Sequence, residues 1–213
     1  MWALVEDNTI TKLINNPKGL VIGDTRYSKN IFSFRWTNEE REAIGIYEVI
    51  FNDSNKKNDE FYINTNQSFN YADGQVTASY GSAIPRQLED SFYTQEDIDL
   101  IDVKYLDGRK VGDLKVKGLK SKKKEIIKKQ ASGLLESTDW HNHKALDDDT
   151  YTIPENIKTY RANVRTRSNE METLIQNASD VSALETLYIY VNTGTEENPV
   201  HERPLGEFPT LEI

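Results

Sequence analysis

Two histidines and a run of aspartates lie close together in the second half of the chain. His141 and His143 precede Asp147–Asp149 by a few residues. Imidazole nitrogens and carboxylate oxygens are metal ligands, so this group could in principle coordinate a divalent cation. Structural metal sites use characteristic ligand spacings, which this segment lacks. We therefore expect no metal site here and interpret residues 141–152 as a solvated loop.

The sequence contains no motif that predicts catalysis or cofactor binding. It has no Gly-rich phosphate loop and no Gly-x-Ser-x-Gly turn. It has no cysteine, which excludes a thiolate nucleophile, a zinc–thiolate site and disulfides. Acidic residues are numerous, but a pair of carboxylates indicates catalysis only when its geometry is known. We predict a protein that is not an enzyme and has no cofactor. The alternative is a cytoplasmic enzyme or a ligand-binding module of unrelated origin.

The charge of the chain is unevenly distributed. The net charge is −9, yet residues 115–129 contain eight lysines and a single acid, Glu125. The acidic balance argues against general nucleic-acid binding, and no aromatic residue is interleaved with the lysines for base stacking. We interpret the segment as a solvated helix face and leave open a contact with an acidic partner.

The sequence also predicts no membrane attachment. The N-terminus has no basic region before Glu6, which excludes an ordinary signal peptide. No run of about 18 apolar residues occurs, so we expect no membrane-spanning helix.

The element pattern predicts an α+β fold with a β-rich N-terminal region of short hairpins and an α-helical C-terminal unit. Hairpin turns are indicated at Asp7-Asn8, Gly23-Asp24 and Ala72-Asp73-Gly74, and residues 37–40 form a capping box. We assign residues 1–82 to the β-rich module, 83–112 to a connecting segment, 113–197 to the helical module and 198–213 to an extended Pro-rich tail. Within the connecting segment, residues 95–103 fit either a helix or a strand.

Four residues of the helical module are predicted to be structural. Trp140 lies between two predicted helices, and we expect its indole to be buried at their junction. The second helix begins near Pro154 and places Tyr160 on its apolar face. Arg161 and Arg165 are four residues apart, so they share a helix face, and we expect them to pair with Asp139, Asp147 or Asp148.

The tail is predicted to act as a docking arm. Its prolines prevent a helix, and its apolar area is too small for it to fold alone. We expect Leu205, Phe208, Leu211 and Ile213 to contact an adjacent subunit. The alternative is that the tail folds back onto its own helices.

The segment Leu134-Leu135-Glu136-Ser137-Thr138-Asp139-Trp140, with Tyr160-Arg161-Ala162-Asn163-Val164-Arg165 after Pro154, resembles the C-terminal segment of tail fibre assembly and related tail proteins of tailed bacteriophages. Residues 2–51 resemble, more loosely, a module at the start of marine phage tail-associated proteins. The resemblance implies a virion subunit near the fibres or baseplate, or an assembly chaperone that does not remain in the virion. Implied partners are fibre, baseplate or tail tube proteins and further copies of the chain. The implied location is the virion tail, after synthesis in the host cytoplasm.

Overall fold

The computed structural model describes residues 1–65, 67–102 and 107–211. The fold is mixed α+β with a β-rich first part, as the sequence predicts. The chain forms two compact units, Met1–Ile84 and Pro85–Ile213. Residues 85–102 and 107–112, assigned above to a connecting segment, therefore lie in the second unit.

The first unit is built around a curled five-stranded sheet. Its strand order is β2-β1-β5-β8-β7, with β5 and β8 parallel and the other neighbours antiparallel. The edge strands β2 and β7 approach each other, which gives the sheet its curl. The bounds are β1 Trp2–Glu6, β2 Thr9–Ile14, β3 Leu20–Ile22, β4 Thr25–Tyr27, a 3₁₀ helix Lys29–Phe32, α1 Asn38–Glu42, β5 Ile46–Asn52, β6 Tyr62–Ile63, β7 Gln67–Ala72 and β8 Gln75–Tyr80.

Local turn chemistry determines where these elements begin and end. Asp7 and Asn8 join β1 to β2 with φ angles of 49° and 60°, a left-handed conformation that Asp and Asn tolerate. The predicted capping box at α1 is confirmed, because the Glu40 amide donates to Thr37 Oγ1 at 3.2 Å and the Thr37 amide donates to the Glu40 carboxylate at 2.8 Å. Gly45 follows α1 with a φ of 81°.

Both faces of the sheet bury apolar side chains. One face packs Ala3, Val5 and Val49 with residues of β8 and the partly buried rings of Tyr47 and Tyr71. The other face packs Leu4 and Ile46 under the β3–β4 hairpin and the 3₁₀ helix. This alternation follows from the two-residue period of a strand.

The second unit contains the long helices. Its bounds, with β9 spanning the boundary between the units, are β9 Ile84–Pro85, β10 Ser91–Phe92, α2 Gln95–Asp99, β11 Leu114–Val116, α3 Leu119–Glu136, α4 Asp139–Asp147, α5 Glu155–Asn177, α6 Val181–Thr186, β12 Val191–Asn192 and β13 His201–Glu202. Strands β10 and β11 pair, as do β12 and β13, and α3 packs along α5. No helix of the described residues is long and apolar enough to cross a membrane.

Two boundaries of the helical module differ from the prediction. Helix α3 begins at Leu119, six residues after the predicted start of the helical module at residue 113, because Leu114–Val116 pairs with β10. The predicted loop at 141–152 is wrong for its first part, which is helix α4. Between 95 and 103 the structure has helix α2, with Thr94 as its cap, and Val103 lies outside the described residues.

The tail folds back onto its own unit over the residues the structure describes, which is the alternative given above; its contact with an adjacent subunit stays a prediction. Leu205 is 0% exposed, and its amide donates to the carbonyl of Leu187 at 3.0 Å. Phe208 and Leu211 pack on the core of α3 and α5. The physical reason is that these helices expose an apolar surface within reach of the tail. Ile213 lies outside the described residues.

One side chain of α5 holds the tail in place. Arg167 donates from Nη2 to the carbonyl of Leu205 at 2.7 Å and from Nε to the carbonyl of Glu207 at 3.1 Å. Carbonyl groups of a segment outside a helix or sheet have no ladder partner, and here donors from a neighbouring helix compensate two of them.

Candidate functional site

The two halves of the Thr-Asp-Trp and Tyr-Arg motif meet in one hydrogen-bonded network. Arg161 of α5 is buried, and its Nη1 donates to Thr138 Oγ1 at 2.6 Å and to the carbonyl of Leu135 at 2.8 Å. Its Nη2 donates to Asp139 Oδ1 at 2.7 Å. The predicted pairing of Arg161 with Asp139 is therefore present in the structure.

The network provides hydrogen-bond donors for a backbone carbonyl at the C-terminal end of α3. The last carbonyls of a helix lack partners within the helix, and Leu135 lies in the final turn of α3. Its carbonyl accepts from the hydroxyl of Thr138 at 2.9 Å as well as from Arg161. A buried guanidinium is tolerated only when it is paired and hydrogen-bonded. Each group thus compensates the others, and the α3–α4 corner is tied to α5.

Trp140 does not plug the helix junction, which corrects the prediction. Its side chain is 54% exposed. The inward positions of this corner are occupied by Thr138 and His141, which are three residues apart and both buried. Because α4 turns by about 100° per residue, Trp140 lies outside the inward face of the helix that Thr138 and His141 occupy.

An aromatic shelf, defined here as Trp140, His141 and Tyr151, results from this arrangement. The indole stacks on the imidazole of His141 with ring centroids 3.7 Å apart and planes inclined by 27°. The Nδ1 of His141 forms a hydrogen bond with the hydroxyl of Tyr151, and these two rings are inclined by 17°. Lys144 places its ammonium 4.3 Å from the centroid of the Tyr151 ring. The exposed Trp140 is therefore supported by rings that are fixed in orientation.

The turn after α4 brings Tyr151 to the shelf. Asp148 accepts from the amide of Thr150 at 3.0 Å and from its hydroxyl at 2.5 Å. These two bonds, from the hydroxyl first and then the amide, lower the pKa of Asp148 below its ordinary value. Side chains of this kind stabilise turns by replacing a backbone hydrogen bond. Asp148 thus has a local structural role at this turn.

Tyr160 and Arg165, the other two residues predicted to be structural, lie outside the network of Arg161. Tyr160 is buried with Ala131 and Val164 between α3 and α5. Arg165 is exposed and donates from Nη1 to the carbonyl of Arg161 at 3.3 Å. The structure therefore separates the two arginines, because Arg161 is buried in the network and Arg165 lies at the surface.

The lysine segment is only partly solvated. Lys120 and Lys123 are buried, so the solvated-face interpretation is wrong for these two. Lys120 pairs with Glu89 at 2.5 Å, and the ammonium of Lys123 lies 4.2 Å from the centroid of the Tyr188 ring. The acids that the segment contacts belong to its own unit.

A groove of about 420 Å³ lies in the first unit. It is lined by Tyr47, Glu42 and Glu48 among others. The hydroxyls of Tyr47 and Tyr71 share a hydrogen bond with their oxygens 3.1 Å apart. This bond, which favours the neutral phenol of Tyr47, and burial raise the pKa of Tyr47 to about 12. A general acid or base works best with a pKa near the operating pH. The shift moves the pKa of Tyr47 away from that range, so Tyr47 is poorly suited to act as a general acid or base in this groove.

Within the described residues, no three His, Asp or Glu side chains converge on a point where they could hold a metal ion. Comparison with protein-family models, with curated proteins and with solved structures finds no match for this chain. Its function is therefore inferred from the geometry of the chain itself. The aromatic shelf is the candidate site that this geometry supports best.

Proposed function

We propose that this chain is a non-enzymatic structural protein of a bacteriophage tail, located in the virion and acting through protein–protein contacts. The aromatic shelf is its contact surface. Fibre, baseplate or tail tube proteins are the proposed partners, and several copies of the chain associate in the virion. The protein is made in the host cytoplasm and reaches the virion by assembly.

The main observation behind this proposal is that Trp140 is half-exposed and stacks on His141, which is hydrogen-bonded to Tyr151. Exposed apolar area costs about 25 cal/mol per Å² relative to its burial, so an indole at the surface gains free energy when a partner covers it. Trp, Tyr and Arg are the residues most enriched among those that dominate binding energy. Here Trp140 and Tyr151 lie on the shelf, whereas Arg161 of α5 is buried in the network and supports the start of α4.

Rigidity supports the same conclusion. Binding loses free energy when side chains must be ordered in the complex, at about 0.5–1.5 kcal/mol for each. The indole of Trp140 already stacks on His141, which is itself hydrogen-bonded to Tyr151. The network of Arg161 fixes the start of α4 below. The shelf is therefore ordered before any partner arrives.

The assignment to a phage tail comes from the resemblance of the motif, and the structure adds a physical reason for its spacing. Thr138 and Asp139 are the acceptors of the Arg161 guanidinium. A chain that keeps both halves of the motif keeps the α3–α4 corner and, with it, the orientation of the shelf. This supports the interpretation of the motif as one functional unit.

Quantitative mass spectrometry of purified virions of the encoding phage tests the proposal. We expect the full chain at a copy number in whole-number proportion to the other tail proteins. We expect Trp140→Ala to lower that copy number by about tenfold. Leu146→Ser is the matched control, because Leu146 lies on the same helix and is 80% exposed but is not part of the shelf.

Two outcomes would count against this function. If virions lack the chain and a deletion gives fibreless particles, the protein is an assembly chaperone. If Trp140→Ala and Leu146→Ser are incorporated equally well, the shelf is not the contact surface.

A further inference from the structure

Gly133 is an exposed residue in the last turn of α3, at a position where the described residues of the second unit do not require a glycine. A Cβ at this position would meet nothing within 4 Å. Glycine inside a helix is less favourable than alanine, and one of its uses is to let another group approach the backbone closely. The position therefore leaves helix backbone uncovered at the surface.

Three further exposed residues lie on the same face of α3 as Gly133. Lys122, Ile126 and Lys129 precede it at spacings of four, three and four residues, which places them on one side of the helix. Ile126 is 46% exposed. Within the described residues, neither Lys122 nor Lys129 has a carboxylate within ion-pair distance. We call Lys122, Ile126, Lys129 and Gly133 the lysine stripe.

The aromatic shelf lies in a segment of the opposite charge. Residues 139–149 contain four acids and one lysine, and the ammonium of that lysine, Lys144, lies over the Tyr151 ring. Asp147 and Asp149 are exposed, and no cation of the described residues lies within ion-pair distance of either. Asp147 follows Trp140 by seven residues, so both lie on one side of α4. The shelf thus presents an indole near unpaired carboxylates.

The lysine stripe and the aromatic shelf are complementary, yet their charges do not pair within one chain. Lys122 lies 14 residues before the end of α3, which corresponds to about 21 Å along the helix. A second copy of the chain supplies the missing partner for each surface. Because the two surfaces differ, such a contact leaves one shelf and one stripe free, so that further copies can add.

The charge of the whole chain favours a second copy over a polyanion. Its net charge is −9, which repels a nucleic acid as it approaches the stripe. Two copies also repel each other, but charges separated by more than about 8 Å are largely screened at physiological ionic strength. Ion pairs formed at the contact are closer than this and keep their attraction.

We propose that the aromatic shelf of one copy binds the lysine stripe of a second copy. Trp140 packs on Ile126 and on the uncovered backbone at Gly133, while Asp147 and Asp149 pair with the two ammonium groups. This inference rests on the function proposed above, because it names the occupant of the same contact surface.

Light scattering of the purified full chain tests the contact. We expect the mass to rise with concentration above the 24.5 kDa of one chain. Trp140→Ala and the double substitution Lys122→Glu/Lys129→Glu should each weaken this association by about 30-fold or more. The control is Lys12→Glu/Lys18→Glu, which changes the net charge equally at exposed positions of the first unit and should associate at least tenfold more tightly than the stripe variant.

Mixing the two defective variants tests the pairing of shelf with stripe. Trp140→Ala keeps an intact stripe, and Lys122→Glu/Lys129→Glu keeps an intact shelf. Their mixture should therefore form a pair with the affinity of the unmodified chain and should stop at twice the mass of one chain. A contact of shelf with shelf, or of stripe with stripe, would not be restored by mixing.

Gly133→Gln tests the close approach to α3. Glutamine is a better helix former than glycine, so the melting temperature of the dilute chain should not fall. The added side chain should nevertheless weaken association by about tenfold, because it covers the backbone on which Trp140 packs. A glycine with a purely structural role would give the reverse pattern.

Three outcomes would overturn the proposal: a chain that remains a monomer at about 1 mM, stripe and first-unit lysine variants that associate equally well, or a mixture that does not pair. These measurements use the purified chain alone, so they are independent of the virion experiment. If Trp140→Ala still lowers the copy number in virions while the purified chain stays a monomer, only the second-copy contact fails. Equal incorporation of Trp140→Ala and Leu146→Ser, in contrast, would contradict the proposed function itself.

Discussion

The guanidinium of Arg161 lies 2.6 Å from the hydroxyl of Thr138, although the two residues are 23 positions apart in the sequence. This contact joins the end of α3 to the middle of the second unit's longest helix, α5. It also fixes the position at which α4 begins, and therefore the direction in which Trp140 points.

Replacing Arg161 should destabilise the second unit strongly. Arg161→Met leaves the carbonyl of Leu135 and the hydroxyl of Thr138 with fewer partners in a buried corner. We expect a loss of about 2–4 kcal/mol. Hydrogen exchange of peptides from α3 and α5, measured by mass spectrometry, reports the local free energy of opening. Arg165→Met is the control, since Arg165 is exposed one turn later on the same helix, and should cost about 0.5 kcal/mol or less. Equal effects of the two substitutions would contradict the network.

Truncating Trp140 should cost little stability. A fully buried Trp would cost about 3–5 kcal/mol on replacement by Ala, which is the expectation that the sequence alone suggests. Because the indole is 54% exposed, we expect about 1 kcal/mol for Trp140→Ala. Urea unfolding of the full chain, followed by circular dichroism of the helical unit, distinguishes these values. A loss above about 3 kcal/mol would mean that the indole is buried in solution.

Leu205 should behave as a core residue. It is 0% exposed, so Leu205→Ala should destabilise the second unit by about 2–4 kcal/mol. Val200→Ala is the control because Val200 lies in the same tail and is half-exposed. Limited proteolysis should then cut the tail of the Leu205 variant and spare that of the control. A resistant tail in Leu205→Ala would show that the tail does not depend on this contact.

The Tyr47–Tyr71 pair predicts a loss of stability at high pH. The pKa of Tyr47 is raised to about 12 by the hydroxyl of Tyr71 and by burial, above the value of about 10 for an unfolded chain. The neutral phenol is therefore favoured by folding. Its contribution is fully present below pH of about 10 and is lost as the pH rises through about 12.

Titration of the Tyr47 ring carbon by NMR measures this shift directly. Tyr71→Phe removes the hydroxyl partner and should return the pKa of Tyr47 toward about 10. Tyr80→Phe is a control in the same sheet. A pKa of Tyr47 that is the same with and without the Tyr71 hydroxyl would contradict the assigned cause.

Local sequence signals predicted the first unit well. The left-handed turn at Asp7-Asn8 and the capping box at Thr37 depend on residues within four positions of each other, so their chemistry can be read without the tertiary fold. The sequence offered Asp139, Asp147 and Asp148 as partners for Arg161 and Arg165, and the tertiary fold selects Asp139 for Arg161.

The prediction for Trp140 failed, and the fold-back of the tail was only an alternative, because burial at these positions depends on residues that are distant in the sequence. Trp140 was expected to be buried because an indole between helices usually is, yet Thr138 and His141 occupy the inward positions. The tail was expected to require a partner because its own apolar area is small. Its area is sufficient once α3 and α5 supply the complementary surface and Arg167 supplies donors for its carbonyls. Such effects belong to tertiary structure and leave no local signal.

The central claim is that the aromatic shelf is covered by another protein in the particle. Hydroxyl-radical footprinting of the free chain and of intact virions measures this directly, with the oxidation rate of Trp140 as the readout. We predict a several-fold lower rate in the virion, while exposed side chains outside the shelf, such as Leu146, keep the rate of the free chain. An unchanged Trp140 rate in virions that contain the chain would contradict the claim.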